Sequence, residues 1–392
     1  MLSKNPFQTI LLSGFILLSL YRPILIEHQS INVIYGLFVI SFIILLFNIN
    51  LVKHIDYKLL VLLALSAFFP VFASMLFHHD IPLDKIGLIL FLPISFLLGV
   101  WLEKKGSIHL FFRFAAVLFI VIGCYIFYRL ALSDFSYNYY YNWGNAQYRI
   151  DYLTSSLYAF IICTYFLFNG RNFLEKYGVT LFCLIFIVMS GARYTILFLG
   201  LTIIYLLIKV TQKNPIKLVA TLVGSSIVML LVLFFKRAVV YDLAKMVSYS
   251  LFRIGNLAGQ DNSLDGRVDL INKSIDIISN NFLVGVGVGG SGDALHSNYP
   301  HNMLIEIFID GGFFAFLCLS IFFILSFYKI YKAKSTSKMW LPIIVVYLAG
   351  AYLKSFSIYD SRILFFFLGF ALAMSSMVPK KNRHRVDFHA KN

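Results

Sequence analysis

Along this sequence, apolar runs of about 20 residues alternate with short polar loops, and about 20 residues is the length a helix needs to cross the ~30 Å hydrocarbon core of a bilayer. Twelve runs can be laid out, beginning near Phe7, Asn32, Leu59, Ile86, Leu110, Leu153, Val179, Tyr194, Leu218, Phe313, Met339 and Arg362. In lipid each backbone N–H and C=O must be satisfied inside its own segment, so runs of this kind fold as helices. Composition agrees, with 60% of the 392 residues hydrophobic, 17% aromatic and 13% charged. A soluble enzyme cannot bury so much apolar surface. The fold class expected is an all-α polytopic membrane protein of about 12 transmembrane helices.

The loops set the orientation. KHIDYK, EKKGSIH, GRNFLEK, KVTQKNPIK, YKIYKAKSTSK and the tail PKKNRHR are short and rich in lysine or arginine. Such loops stay in the cytoplasm, which puts both termini there and makes the chain a multi-pass protein of the bacterial inner membrane. The net charge of +15 is spent on these loops, so the expected partners are membrane lipids and not nucleic acid. The first run follows MLSKNPF, shows no small-residue cleavage site, and is read as a retained helix. Cys124, Cys163, Cys183 and Cys318 lie inside apolar runs without a CxxC pair, as packing residues do.

Four regions follow from this layout. Residues 1–236 carry spans one to nine, 237–301 form one long periplasmic loop, 302–378 hold spans ten to twelve, and 379–392 are a basic cytoplasmic tail. The outward-facing side collects arginines instead of lysines: Arg22, Arg129, Arg149, Arg193, Arg237, Arg253, Arg267 and Arg362. A guanidinium grips phosphate through two parallel hydrogen bonds, a geometry that lysine lacks. Snorkelling to headgroups is the other use such side chains have.

Within the long loop, VDLINKSIDIISNNFL has helical periodicity. Val268, Ile271, Ile275 and Ile278 share one face, with Asp269 and Lys273 opposite at i, i+4. This predicts an amphipathic helix lying on the membrane or capping the bundle. Gly285, Gly287, Gly289, Gly290 and Gly292 come next. The letters contain GxGxxG, but no strand and crossover helix frame them, so the glycines are read as letting backbone approach a ligand or another helix. In the outer loop at 137–145, YNYYYNWGN offers tyrosines including Tyr140, together with Trp143 and asparagines. These suit sugar binding and equally suit an interfacial aromatic belt.

SGARYTIL, DGRVDLINKSIDIISNNFLVGVGVGG and PHNMLIEIFIDGG, in that order, resemble the Wzy/WaaL superfamily of O-antigen and capsule polymerases and O-antigen ligases. The telling element is His-Asn, nine residues, then Gly, here His301, Asn302 and Gly312. The ligase form continues to Gly, Thr or Tyr three residues on, where this chain has Ala315. The resemblance implies a GT-C-like fold and an inverting, metal-independent glycosyltransferase without cofactor. Its donor would be a glycan on undecaprenyl diphosphate, used at the periplasmic face.

Under that resemblance Arg193 and Arg267 match family arginines and would hold the diphosphate charge as the bond breaks. Arg149 and Arg253 are further candidates for the diphosphate or for sugar hydroxyls. His301 is the candidate general base for the acceptor hydroxyl, with Glu306 or Asp310 orienting or balancing it and His296 standing second, and Asn302, Glu306 and His296 are also assigned to binding the substrate. Asn302 is expected to start a helix that carries Glu306 and Asp310 in its first turns, and the glycine pair to break or bend it. Polymerase is the reading preferred, with ligase as the alternative and a lipid-linked oligosaccharide flippase as the alternative of another class. A flippase would keep ionisable residues near the midplane and show paired repeats, which this sequence lacks. A lipid-linked oligosaccharide is the implied substrate, leaving room for a chain-length regulator and other O-antigen assembly proteins as partners.

Overall fold

The computed structural model describes residues 6–17, 39, 43, 56–77, 83–132, 152–190, 192–213, 262–295, 300–332 and 339–376. Among these residues all regular structure is helical: α1 (Pro6–Leu17), α2 (Tyr57–Phe77), α3 (Leu83–Lys105), α4 (Ile108–Leu132), α5 (Tyr152–Asn169), α6 (Val179–Ser190), α7 (Arg193–Lys213), α8 (Asn262–Asn280), α9 (Gly290–Ala294), α10 (Met303–Lys332), α11 (Trp340–Lys354) and α12 (Arg362–Ser376). A π-helical turn, Leu174–Gly178, precedes α6, and a 3-10 turn, Ile358–Asp360, precedes α12.

Four of the described helices are long and apolar enough to cross a membrane, within α2, α3, α4 and α10. Shorter apolar helices lie within α5, α7, α11 and α12. Of the run expected near Asn32 only residues 39 and 43 are described, and the run expected near Leu218 falls outside the described residues. The run expected near Phe313 and the helix expected from Asn302 are one element, α10, which starts at Met303 and carries its break at Gly312. Asn302 caps that helix and the break at Gly312 is bridged, so the polar-looking first turns are helical too.

The described helices fall into two compact units, one of α1, α2, α3 and the chain from Arg267 onward, the other of α4 to α7. In the first, α10 packs along α2, α12 packs along α3, and α2 also meets α3. Glycine sets the α3–α12 approach. A Cβ on Gly99 would lie 2.0 Å from the Phe366 carbonyl oxygen, and one on Gly369 2.0 Å from that of Phe96. With lipid on the outside there is little hydrophobic force between helices, and close backbone contact through small residues supplies the attraction. On α10, Gly311 meets Pro70 of α2, where a Cβ would stand 2.7 Å from the ring. Asp56 and Lys329 form an ion pair that ties the start of α2 to the last turns of α10, and Lys329 is the main reason the Asp56 carboxyl titrates below its ordinary value.

In the second unit α5 packs on α6 and α7. Phe119 of α4 meets Phe186 of α6 edge-on at 5.2 Å, and Phe112 stacks flat on Tyr165 at 3.7 Å. Glu175, in the π turn, is the hub of a polar cluster. Its carboxyl accepts from Arg113 Nε (2.8 Å) and from the Arg171 backbone N–H (3.0 Å), and lies 3.5 Å from His109 Nε2. Burial works against the charge, but those donors outweigh it and hold the Glu175 carboxyl below its ordinary value.

Candidate active site

His301 opens the site. Among the described residues it is the only non-glycine with positive φ, at 56°. A left-handed backbone costs an L-residue of this kind roughly 1–2 kcal/mol, so the chain around it must hold it there. Asn302 does part of the holding. Its side-chain Oδ1 accepts from the Leu304 N–H (2.9 Å) and the Ile305 N–H (3.2 Å), satisfying two donors that a helix start leaves open. The half-buried His301 is thereby fixed one residue outside the first turn of α10.

Two turns further on, α10 breaks. Gly312 has φ 68° and ψ −168°, a conformation open essentially to glycine alone. The backbone groups freed by the break are taken up by the glycine-rich segment 282–287. Val286 N–H donates to the Ile309 carbonyl (2.8 Å), Gly287 N–H to the Asp310 carbonyl (2.9 Å), and Phe313 N–H to the Phe282 carbonyl (2.8 Å). No room remains for side chains at the crossing: a Cβ on Gly312 would be 2.3 Å from the Leu283 carbonyl oxygen, and one on Gly285 2.6 Å from Gly312 N. Gly285, Gly287 and Gly289 all have positive φ. The glycines expected to let backbone approach another helix do so at α10.

The two acids of α10 hold the neighbouring turns. Asp310, fully buried, accepts at Oδ1 from the Ser291 N–H (2.9 Å) and at Oδ2 from the Gly289 N–H (3.1 Å) and the Tyr359 hydroxyl. The Tyr359 hydroxyl in turn accepts from the Gly289 N–H at 2.8 Å. Burial, then the neighbouring carboxyls of Asp310 and Glu306, push the Tyr359 phenol well above its ordinary value, which keeps it a donor. Glu306, also buried, accepts at Oε1 from the Ser357 hydroxyl (2.8 Å) and at Oε2 from the Ile358 N–H (2.6 Å). Spaced i, i+4 on one face of α10, the two carboxyls clamp the glycine segment and the 357–360 turn to the helix that carries His301. On the other side, Val288 N–H donates to Ser74 Oγ of α2 (2.6 Å), and Lys85 Nζ of α3 reaches the Gly289 carbonyl at 3.4 Å.

Other expected site residues are placed as follows. Arg193 is the first residue of α7, half-buried, in the second unit. Arg267 lies in the second turn of α8, its side chain outside what the structure describes. Tyr140, Trp143, Arg149, Arg253 and His296 lie outside the described residues. The helix α8 forms, with Asp269 and Lys273 paired at 2.7 Å, while Val268, Ile271 and Ile275 are left uncovered by the described residues. Lys85, Ser74, Ser357 and Tyr359 were not picked out from the sequence. The polar string SFSIYDSR between two apolar runs was the available signal for the last two.

Apolar helices long enough to span a bilayer, and a buried polar site at the start of one of them, define a membrane-embedded helical protein. Residues 178–320 match the Wzy_C family model, described as O-antigen ligase, a match consistent with a member of the Wzy/WaaL superfamily. The matched segment takes in Arg193, Arg267, the glycine segment, His301 and Gly312, and leaves out Lys85, Ser74 and Tyr359. It associates the chain with a glycan-transfer function of the Wzy/WaaL type and with membrane glycosyltransferase-like enzymes. A comparison with curated proteins found no match.

Proposed function

We propose that the chain is an O-antigen or capsule repeat-unit polymerase of the inner membrane, working at the periplasmic face. In the step envisaged, a hydroxyl of one lipid-linked repeat attacks the anomeric carbon of a glycan held on undecaprenyl diphosphate. The new glycosidic C–O bond forms with inversion as the sugar–phosphate C–O bond breaks. The hydroxyl proton passes to His301, and undecaprenyl diphosphate leaves as an anion that needs no proton. Arg193 and Arg267 are assigned to that anion, with Arg149 and Arg253 as further contacts and no metal ion required. His296, Tyr140 and Trp143 are assigned to the sugars.

The observation that carries this reading is His301, an imidazole held in a left-handed backbone at the capped start of a helix. Strained backbone maintained by its surroundings concentrates at functional sites, and imidazole titrates where a general base must. Asn302 and Glu306, assigned to the substrate by resemblance, already spend side-chain oxygens on the helix start and on the 357–358 turn. Their contribution is to position His301. The second reading, a ligase that moves the finished glycan to the lipid A core, draws on the description of the matching family.

Deleting the gene and running lipopolysaccharide on a gel separates the two. Loss of a polymerase leaves core plus one repeat, loss of a ligase leaves bare core, and unchanged long-chain banding overturns both.

A further inference from the structure

The π turn ahead of α6 holds large apolar side chains in the open. The described residues leave Phe173, Leu174 and Tyr177 79%, 73% and 54% exposed. Phe173 and Tyr177 are ring neighbours at 5.1 Å, and Lys176 Nζ stands 5.9 Å over the Tyr177 ring. From Phe173 and Tyr177 the exposure continues at four-residue intervals into α6, through Leu181 and Ile185. A second stripe runs along α4 from Arg113 through Val117 and Val121. The two helices are neighbours within the second unit, since Phe119 meets both Phe182 and Phe186. Exposed apolar stripes on the helices of a membrane-embedded protein face acyl chains.

Cations gather where both stripes end. Arg113 Nε and the Arg171 backbone N–H meet on the Glu175 carboxyl, at Oε1 and Oε2. The Arg171 guanidinium is exposed and makes no hydrogen bond among the described residues. With Lys176 there are three cations against one carboxylate, in the loop whose charge assigns it to the cytoplasmic side. A guanidinium grips a phosphodiester through two parallel hydrogen bonds, and aromatic rings sit at headgroup level.

We propose that this turn is a seat for an anionic phospholipid. Its phosphate faces Arg171 and Lys176 beside Arg113, and its acyl chains lie along Leu181 and Ile185 and along Val117 and Val121. A soluble phosphate would have no use for the stripes, and a lipid without net charge none for the excess of cations. Bound there, the lipid bridges α4 and the turn before α6, two elements that Glu175 also joins. The assignment rests on the membrane-embedded fold and not on glycan transfer.

The test uses full-length protein in phosphatidylcholine nanodiscs. Each carries a trace of diazirine-bearing phosphatidylglycerol or of diazirine-bearing phosphatidylcholine as probe. Labelled peptides should come from residues 113–121 and 173–185. The phosphatidylglycerol probe should be favoured there at least about fivefold, the factor that one cation near an anionic surface supplies. Arg171→Gln should remove about that factor and leave phosphatidylcholine labelling unchanged, because its backbone N–H still holds Glu175. Adding Lys176→Gln should bring the two probes level, and Lys176→Gln alone serves where the arginine variant does not fold. Phe173→Ser with Leu174→Ser should lower labelling by both probes. Equal labelling of wild type by the two probes makes the turn a general lipid-facing surface and overturns the proposal. Preference that survives both charge substitutions does the same. Competition by inorganic phosphate would make it a soluble-anion site, and cross-links between two copies at 173–177 in place of lipid adducts a protein interface; either result also overturns it.

Discussion

The Phe313 N–H donates to the Phe282 carbonyl at 2.8 Å and not to Ile309, its partner in an unbroken helix, while the Ile309 carbonyl accepts from Val286 instead. The break in α10 is thus a crossing of two backbones, each completing the other. An unpaired buried amide would cost about as much as a lost hydrogen bond, and here all four of these groups are paired.

Gly312→Ala should be among the most damaging small substitutions in the chain. The new methyl group meets the Leu283 carbonyl, and the backbone conformation itself costs of order 1–3 kcal/mol for an L-residue. Thermal unfolding in detergent should shift down markedly and chain assembly should be lost. A variant with unchanged melting temperature would show that the crossing can relax.

At His301 stability and activity should part company. His301→Gly removes the left-handed penalty, roughly 1–2 kcal/mol, so the protein should melt at the same temperature or higher. Lipopolysaccharide made with this variant should nonetheless lose its long chains, as with His301→Ala. Retained polymer in either would take His301 out of the mechanism.

Tyr359→Phe takes a hydroxyl away from Asp310 and from the Gly289 N–H together. Removing a partner from buried polar groups costs about 1–3 kcal/mol. The variant should still reach the membrane in normal amount, melt lower, and assemble chains slowly because the glycine segment is less firmly held. Wild-type melting and rate together would mean that the hydroxyl has no positioning role.

The Glu175 cluster predicts a pH dependence. Its carboxyl titrates below the ordinary value of 4.5, so the stability it contributes is complete above that pH and disappears as pH falls through the lowered value. Glu175→Gln should therefore melt below wild type at pH 7, and the gap should close as pH is taken below about 4.5. A gap that is independent of pH would show that packing of the side chain, and not its charge, carries the effect.

What the sequence conveyed and what it withheld divide along range. The helix carrying Asp269 and Lys273, the helix start at Asn302 and the bend at the glycine pair are local, written in periodicity, a capping residue and a residue without Cβ. The partners of Glu306 and Asp310 are not local. Sequence reading put these acids beside His301, whereas their oxygens are engaged by Ser357, Ile358, Gly289, Ser291 and Tyr359. Helical spacing tells which side chains share a face but not which distant turn that face will meet.

The reciprocal contact of Gly99 and Gly369 joins a helix made early on the ribosome to one made late. Tyr359 sits just ahead of the later helix, so its hydroxyl reaches Asp310 only once α12 has been inserted beside α3. Until then the glycine segment lacks one of its fasteners. In this sense the site is complete only when the last described helix has taken its place beside α3.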